Sequence, residues 1–203
     1  MTFQPPPPPP PPPAGPPTPP PPPPGSWGPP PGQGPTGGGG SFDPKSVNQL
    51  DWAILGAGVL AFIFSFVSYY TFSPTHCGSL CDGISVDENA WHGFFGWFAM
   101  LAALAGSAAV GLALFQPNVK LPMANRAIAV IAYAVASLCV ILALFLVPGY
   151  LGYDGSGIDK GHGFGYWISL IVILAGLVLS LMRAQQTGTS LPGPLNNVPK
   201  IGK

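Results

Sequence analysis

The sequence predicts an all-α membrane protein: four transmembrane helices in an antiparallel bundle, preceded by a disordered Pro/Gly-rich tail. Three observations lead there. The 203 residues are 47% hydrophobic and only 7% charged, against about a quarter charged in an ordinary soluble domain. Of the 29 prolines, 21 lie in the first 35 residues, whereas most aliphatic residues lie between 52 and 182. Finally, four uncharged apolar runs stand out, Trp52–Phe72, Phe94–Phe115, Ala127–Val147 and Phe164–Met182, each near the ~20 residues a helix needs to cross ~30 Å of hydrocarbon.

The first element is the tail, residues 1–48. Residues 5–24 are almost unbroken proline; proline fixes φ and removes the backbone donor, so the stretch favours a polyproline II rod rising ~3.1 Å per residue. Residues 25–40 continue as a Gly/Pro linker around Trp27. A preformed rod loses little entropy on docking into an aromatic-lined groove, so the tail reads as an interaction arm for a cytoplasmic proline-binding protein or for envelope machinery. A low-complexity extension without a partner is the plainer reading. Trp27, the tail residue with the largest apolar surface, is the candidate anchor. Met1–Gly40 has neither a basic start nor an apolar h-region, so the first membrane helix is expected to serve as its own insertion signal.

The membrane domain follows at 49–184, with spans expected at about 52–72, 92–115, 126–147 and 163–183, and residues 185–203 form a short C-terminal tail. Uncharged runs of this length suit helices, whose backbone groups are all satisfied within the segment. Asp51 falls at a first-turn position where the helix dipole favours an acid. Small residues recur at helical spacing: Ala53, Ala57, Ala61 and Ser65; Ala99, Ala103, Ser107 and Gly111; Ala129, Ala132, Ala136, Cys139 and Ala143; Gly176 and Ser180. Such stripes allow close backbone approach, within the chain or between copies in a homo-oligomer. Lys45, Lys120, Arg126, Arg183, Lys200 and Lys203 flank one side of the path and Lys160 the other. The positive-inside rule then places both termini in the cytoplasm and the 73–91 and 148–162 loops outside a plasma membrane.

Those outer loops carry the candidate sites. His92-Gly93-Phe94 and His162-Gly163-Phe164 are each followed by a Trp three residues on, Trp97 and Trp167. Each motif begins an inward-running span, which suggests two tandem helix hairpins, or convergence on an interfacial motif rich in Phe and Trp. A pseudo-two-fold axis would set His92 and His162 at equal depth, where a histidine pair can bind a metal or sense pH. A histidine bonded to a loop carbonyl is the plainer reading. Cys77 and Cys81 lie on the expected oxidising side and are candidates for a local disulfide; their C-x3-C spacing fits few metal sites. Cys139 reads as a packing residue.

No Asp, Glu, Lys, Arg or His lies inside the four runs, whereas ion-coupled transporters usually place an ionisable group there. No phosphate-binding Gly-rich loop, nucleophile elbow or zinc-protease motif is present. The expectation is a non-enzymatic protein without cofactor or nucleic-acid partner, surrounded by lipid, that acts as a scaffold or accessory subunit. The alternative is a small transporter, channel or ligand sensor with an outer site at His92 and His162.

The Met-Thr start, Pro5–Pro13, Pro19–Pro24, Gly37–Gly40 and the four apolar runs together resemble a group of actinobacterial, especially mycobacterial, proline-rich four-span membrane proteins. The resemblance is one of architecture and implies inner-membrane residence without assigning an activity. Tetraspan junction proteins share a cysteine pair in the first outer loop, but residues 73–81 lack their Trp-Gly-Leu-Trp type signature.

Overall fold

A computed structural model describes residues 44–75, 83–116, 118–119, 121–150, 157–193 and 199. Trp27, Cys77, Cys81 and most of both tails lie outside the described residues. The remainder is mostly helical: α1 (Gln49–Phe64), α2 (Phe94–Phe115), α3 (Asn125–Phe145) and α4 (Phe164–Gln186), with strands β1 (Tyr70–Pro74), β2 (Val86–Glu88) and β3 (Ile158–His162). The helices run up and down, and each packs on the next, with α4 closing on α1.

Helices α2, α3 and α4 are long and apolar enough to cross a membrane. They match the expected spans to within a few residues. The first span differs. α1 has only 16 residues, about 24 Å at 1.5 Å per residue, and it stops at Phe64 although the apolar run continues to Phe72. Ser65 sits at the stop. Its hydroxyl donates to the Phe62 carbonyl at 2.6 Å, the local competition by which serine weakens helix continuation. The amides of Phe66 and Val67 then turn back to the carbonyls of Ile63 and Phe64, three residues earlier. Beyond the turn, Tyr69, Tyr70, Thr71 and Phe72 are aromatic or β-branched and suit a strand.

The fold remains mostly helical, as expected of an all-α membrane protein, with one addition. A three-stranded antiparallel sheet, ordered β2-β1-β3, closes one end of the bundle. β1 is central, pairing Tyr70 with Glu88 on one side and with His162 on the other. Its alternation turns Tyr70 and Phe72 inward, at 0% and 2% exposure, and leaves Thr71 half-buried. The opposite end, where α1 begins, α2 and α3 connect and α4 finishes, is the termini end.

Most of the small-residue stripes face inward. Ala57, Ala61, Ser65, Ala99, Ala103, Ser107, Ala129, Ala136, Cys139, Ala143, Gly176 and Ser180 are all buried, while Ala53 is exposed. The stripes pack helices within the chain. Outward, the helices show Val59, Leu60, Ile63, Leu101, Leu138, Ile141, Ile171 and Val178, an apolar surface far broader than a water-soluble bundle carries.

Candidate functional site

The two His-Gly-Phe motifs start α2 and α4 at the sheet end. Gly93 and Gly163 are the extended residues immediately before these helices. A side chain would be obstructed at both: a Cβ on Gly93 would lie 2.7 Å from the Tyr70 hydroxyl, and one on Gly163 would meet Ser68. The Gly163 amide donates to the Tyr69 carbonyl at 3.0 Å and the Gly165 amide to the Ser68 carbonyl at 2.8 Å. Glycine is thus required where the helix starts press on the segment between α1 and β1.

His92 Nε2 lies 3.2 Å from the Gly149 carbonyl and His162 Nε2 lies 3.1 Å from the Ala143 carbonyl. A carbonyl only accepts, so each contact assigns the proton to Nε2. The imidazoles rest against neighbouring inward positions of β1: His92 against Phe72, with ring centroids 5.9 Å apart, and His162 against Tyr70 at 6.0 Å. The structure therefore brings both histidines under one strand, each with its own acceptor. The acceptors break the two-fold likeness, since Ala143 belongs to the helix preceding His162 whereas Gly149 belongs to the other hairpin. Among the described residues, no three His, Cys, Asp or Glu side chains cluster as a metal site.

Around them stands an aromatic ring. Trp97 is half-buried beside Phe94 and Phe98, and Trp167 is 48% exposed next to His162 and Tyr166. Trp91 stacks on Phe66 and donates its indole N–H to the Ser65 hydroxyl at 3.1 Å. Exposed Phe66, Trp91, Phe94, Phe164 and Trp167 have the character of an interfacial belt. Inside the ring, Tyr69, Tyr70 and Tyr166 pack edge to face. Burial pushes the Tyr70 phenol up to about 12 and, with the neighbouring phenols, raises Tyr69 further. Both stay neutral, so the aromatic interior of this end is uncharged.

In the middle of the bundle, Tyr133 of α3 reaches three other helices. Its ring lies between Gly106 of α2 and Gly176 of α4, close enough that a Cβ at Gly176 would collide with it. Its hydroxyl donates to the Ile54 carbonyl of α1 at 2.8 Å and lies 2.8 Å from the Ser107 hydroxyl, which also bonds Ile54 at 2.7 Å. The centre is filled by a ring and its polar handle is satisfied by protein.

The termini end is charged. Asp51, 1% exposed, accepts a forked pair from Arg183: Nε to Oδ1 and Nη2 to Oδ2, both at 2.9 Å. Arg126 Nη2 reaches Oδ2 at 3.4 Å. One carboxylate thus joins α1, α3 and α4 and faces two guanidiniums. The fork is the geometry in which Arg binds carboxylate best.

The sequence pattern does not disclose this cluster, because Asp51 also fits a helix-dipole partner and both arginines fit topological charges. A signal was present: Asp51, Arg126 and Arg183 each directly abut an uncharged run, preceding Trp52, preceding Ala127 and following Met182. In an up-and-down bundle those three positions share one end.

Comparison with protein-family models, curated proteins and solved structures finds no match for this chain.

Proposed function

We propose that the protein is a non-enzymatic membrane scaffold or accessory subunit, with four helices in the bilayer presenting the proline-rich arm of residues 1–48 to the cytoplasm. The observation that carries this reading is the filled bundle centre. Tyr133, wedged between Gly106 and Gly176 and bonded to Ile54 and Ser107, occupies the axis along which a solute would have to pass. A body packed this way suits an anchor.

Two further observations support the placement. α1 is short, but its exposed Val59, Leu60 and Ile63 match the lipid-suited surface of the longer helices, and the Ser65–Val67 turn adds to its reach. Lys45, Arg126 and Arg183 gather at the termini end while Lys160 lies in β3 at the other, the asymmetry expected of cytoplasmic termini. The outer-site alternative has less behind it, because His92 and His162 each donate Nε2–H to a backbone carbonyl.

Affinity capture from native membranes with the full-length chain and with a version lacking residues 1–48 tests the reading. The expected result is at least one partner retained by the full chain and lost without the arm; identical captures would refute the scaffold role.

A further inference from the structure

A pocket of about 330 Å³ opens at the termini end between the α2–α3 connection and the turn after α4. Its polar wall is Asn125, Arg126, Thr187 and Thr189, and Ala113, Val119 and Ala124 complete the described lining. Among the described lining residues there is no acid, and Arg126 is the charged one.

The ionic cluster behind the wall is unbalanced. Arg183 takes both oxygens of Asp51 at 2.9 Å, leaving Arg126 one long bond of 3.4 Å. Two guanidiniums share one carboxylate, an excess of one positive charge. Arg126 Nη1 is screened from solvent and has no acceptor among the described residues. A buried donor left unpaired is costly, more so when it is charged. Arg126 is also one of the residues that line the pocket.

The other groups around it also donate. Asn125 and Arg126 are the first two residues of α3, whose preceding residue, Ala124, provides no side-chain cap, and first-turn amides have no acceptor within their own helix. The Thr189 hydroxyl lies 2.8 Å from that of Thr187, and its proton can turn toward a new acceptor. A planar guanidinium, helix-start amides, a hydroxyl and a carboxamide are the donor set that a tetrahedral oxyanion uses. Val119 in the lining and Met123, two residues before Asn125, are each 41% exposed and add apolar surface at this end.

We propose that this pocket binds a phosphate group, supplied either by an anionic phospholipid headgroup or as free inorganic phosphate, with Arg126 as its principal ligand and Thr189 and the α3 start completing the cradle. The bound group would supply the missing negative charge beside Asp51 and tie the α2–α3 connection to the end of α4.

The test is thermal unfolding of the full-length protein in phosphatidylcholine nanodiscs, with inorganic phosphate titrated at constant ionic strength in one arm and phosphatidylglycerol increased in the other. A saturable rise of the midpoint with phosphate identifies the free ion; a rise with phosphatidylglycerol alone identifies the headgroup; either supports the site. Arg126→Gln should weaken the apparent affinity about tenfold or more, the scale of losing a charge-assisted bond. Arg126→Lys should recover part of it, and Lys45→Gln, which removes a charge outside the pocket, should leave it unchanged. Should Arg126→Gln fail to fold, Thr189→Ala decides, with an expected weakening of about threefold. No saturable rise in either arm, or equal affinity in the folded variants, would overturn the proposal.

Discussion

The two ends of the bundle are held together by opposite means. At the sheet end the imidazoles of His92 and His162 donate to backbone carbonyls, the phenols stay neutral, and β1 joins the connections of both hairpins by hydrogen-bonded registers. At the termini end the described residues form no sheet, and three helices meet through one carboxylate and two guanidiniums. The sheet end can use neutral groups because its long connections carry their own backbone ladder. The termini end has only helix ends to join, and charge reaches between them. The sequence repeat therefore marks architecture, while the residues with unbalanced chemistry occur once each.

The largest effect expected from breaking this contrast is that of Asp51→Ala. The substitution leaves Arg126 and Arg183 partly buried without a counter-ion, a situation that costs about 3–5 kcal/mol. Reversible unfolding of the detergent-solubilised protein should show a loss of that size, and Asp51→Asn, which keeps the shape, should show most of it. A loss below about 1 kcal/mol would mean that the termini end is held by packing alone.

The helices and the cluster differed in how much the sequence disclosed, for physical reasons. α2, α3 and α4 were legible because a long uncharged run has few alternatives to a helix in an apolar medium. The end of the first run was not: hydropathy is equally high in a buried strand, and only the partners of Tyr70 and Phe72, found at 86–88 and 158–162, decide between the two. Inward-facing small residues were legible from their spacing, yet Gly106 carried no periodic signal; its role comes from Tyr133 opposite. The ionic cluster depends on helix order and rotation, which no single segment encodes. Lone charges at span ends read first as topology, and pairing emerges only when three ends share a corner.

Tyr133 lies between the two ends and gives a smaller, more local contrast. Tyr133→Phe keeps the ring between Gly106 and Gly176 and removes only the hydroxyl. Ser107 still bonds the Ile54 carbonyl, so one donor is lost and none is stranded. The expected cost is about 1 kcal/mol. Adding Ser107→Ala strips the carbonyl of both side-chain donors, and the pair should cost more than the sum of the single changes. Strict additivity in that double-mutant cycle would show that the two hydroxyls act independently.

The smallest effects belong to the repeated histidines, and their inequality is the informative part. Each donates one hydrogen bond to a carbonyl, a contribution near 0.6 kcal/mol on average for side-chain bonds in a membrane protein. His162 adds close packing on Tyr166, with ring centroids 4.2 Å apart. His92 keeps 26% of its side chain exposed, and its nearest ring, Phe72, lies 5.9 Å away. His162→Ala should therefore lower stability by about 1 kcal/mol and His92→Ala by about half of that, read by the same unfolding measurement. Equal costs would indicate that both histidines act as the sequence repeat implies, as equivalent halves of one device. Unequal costs in the stated order follow from their different acceptors, one within its own hairpin and one across to the other.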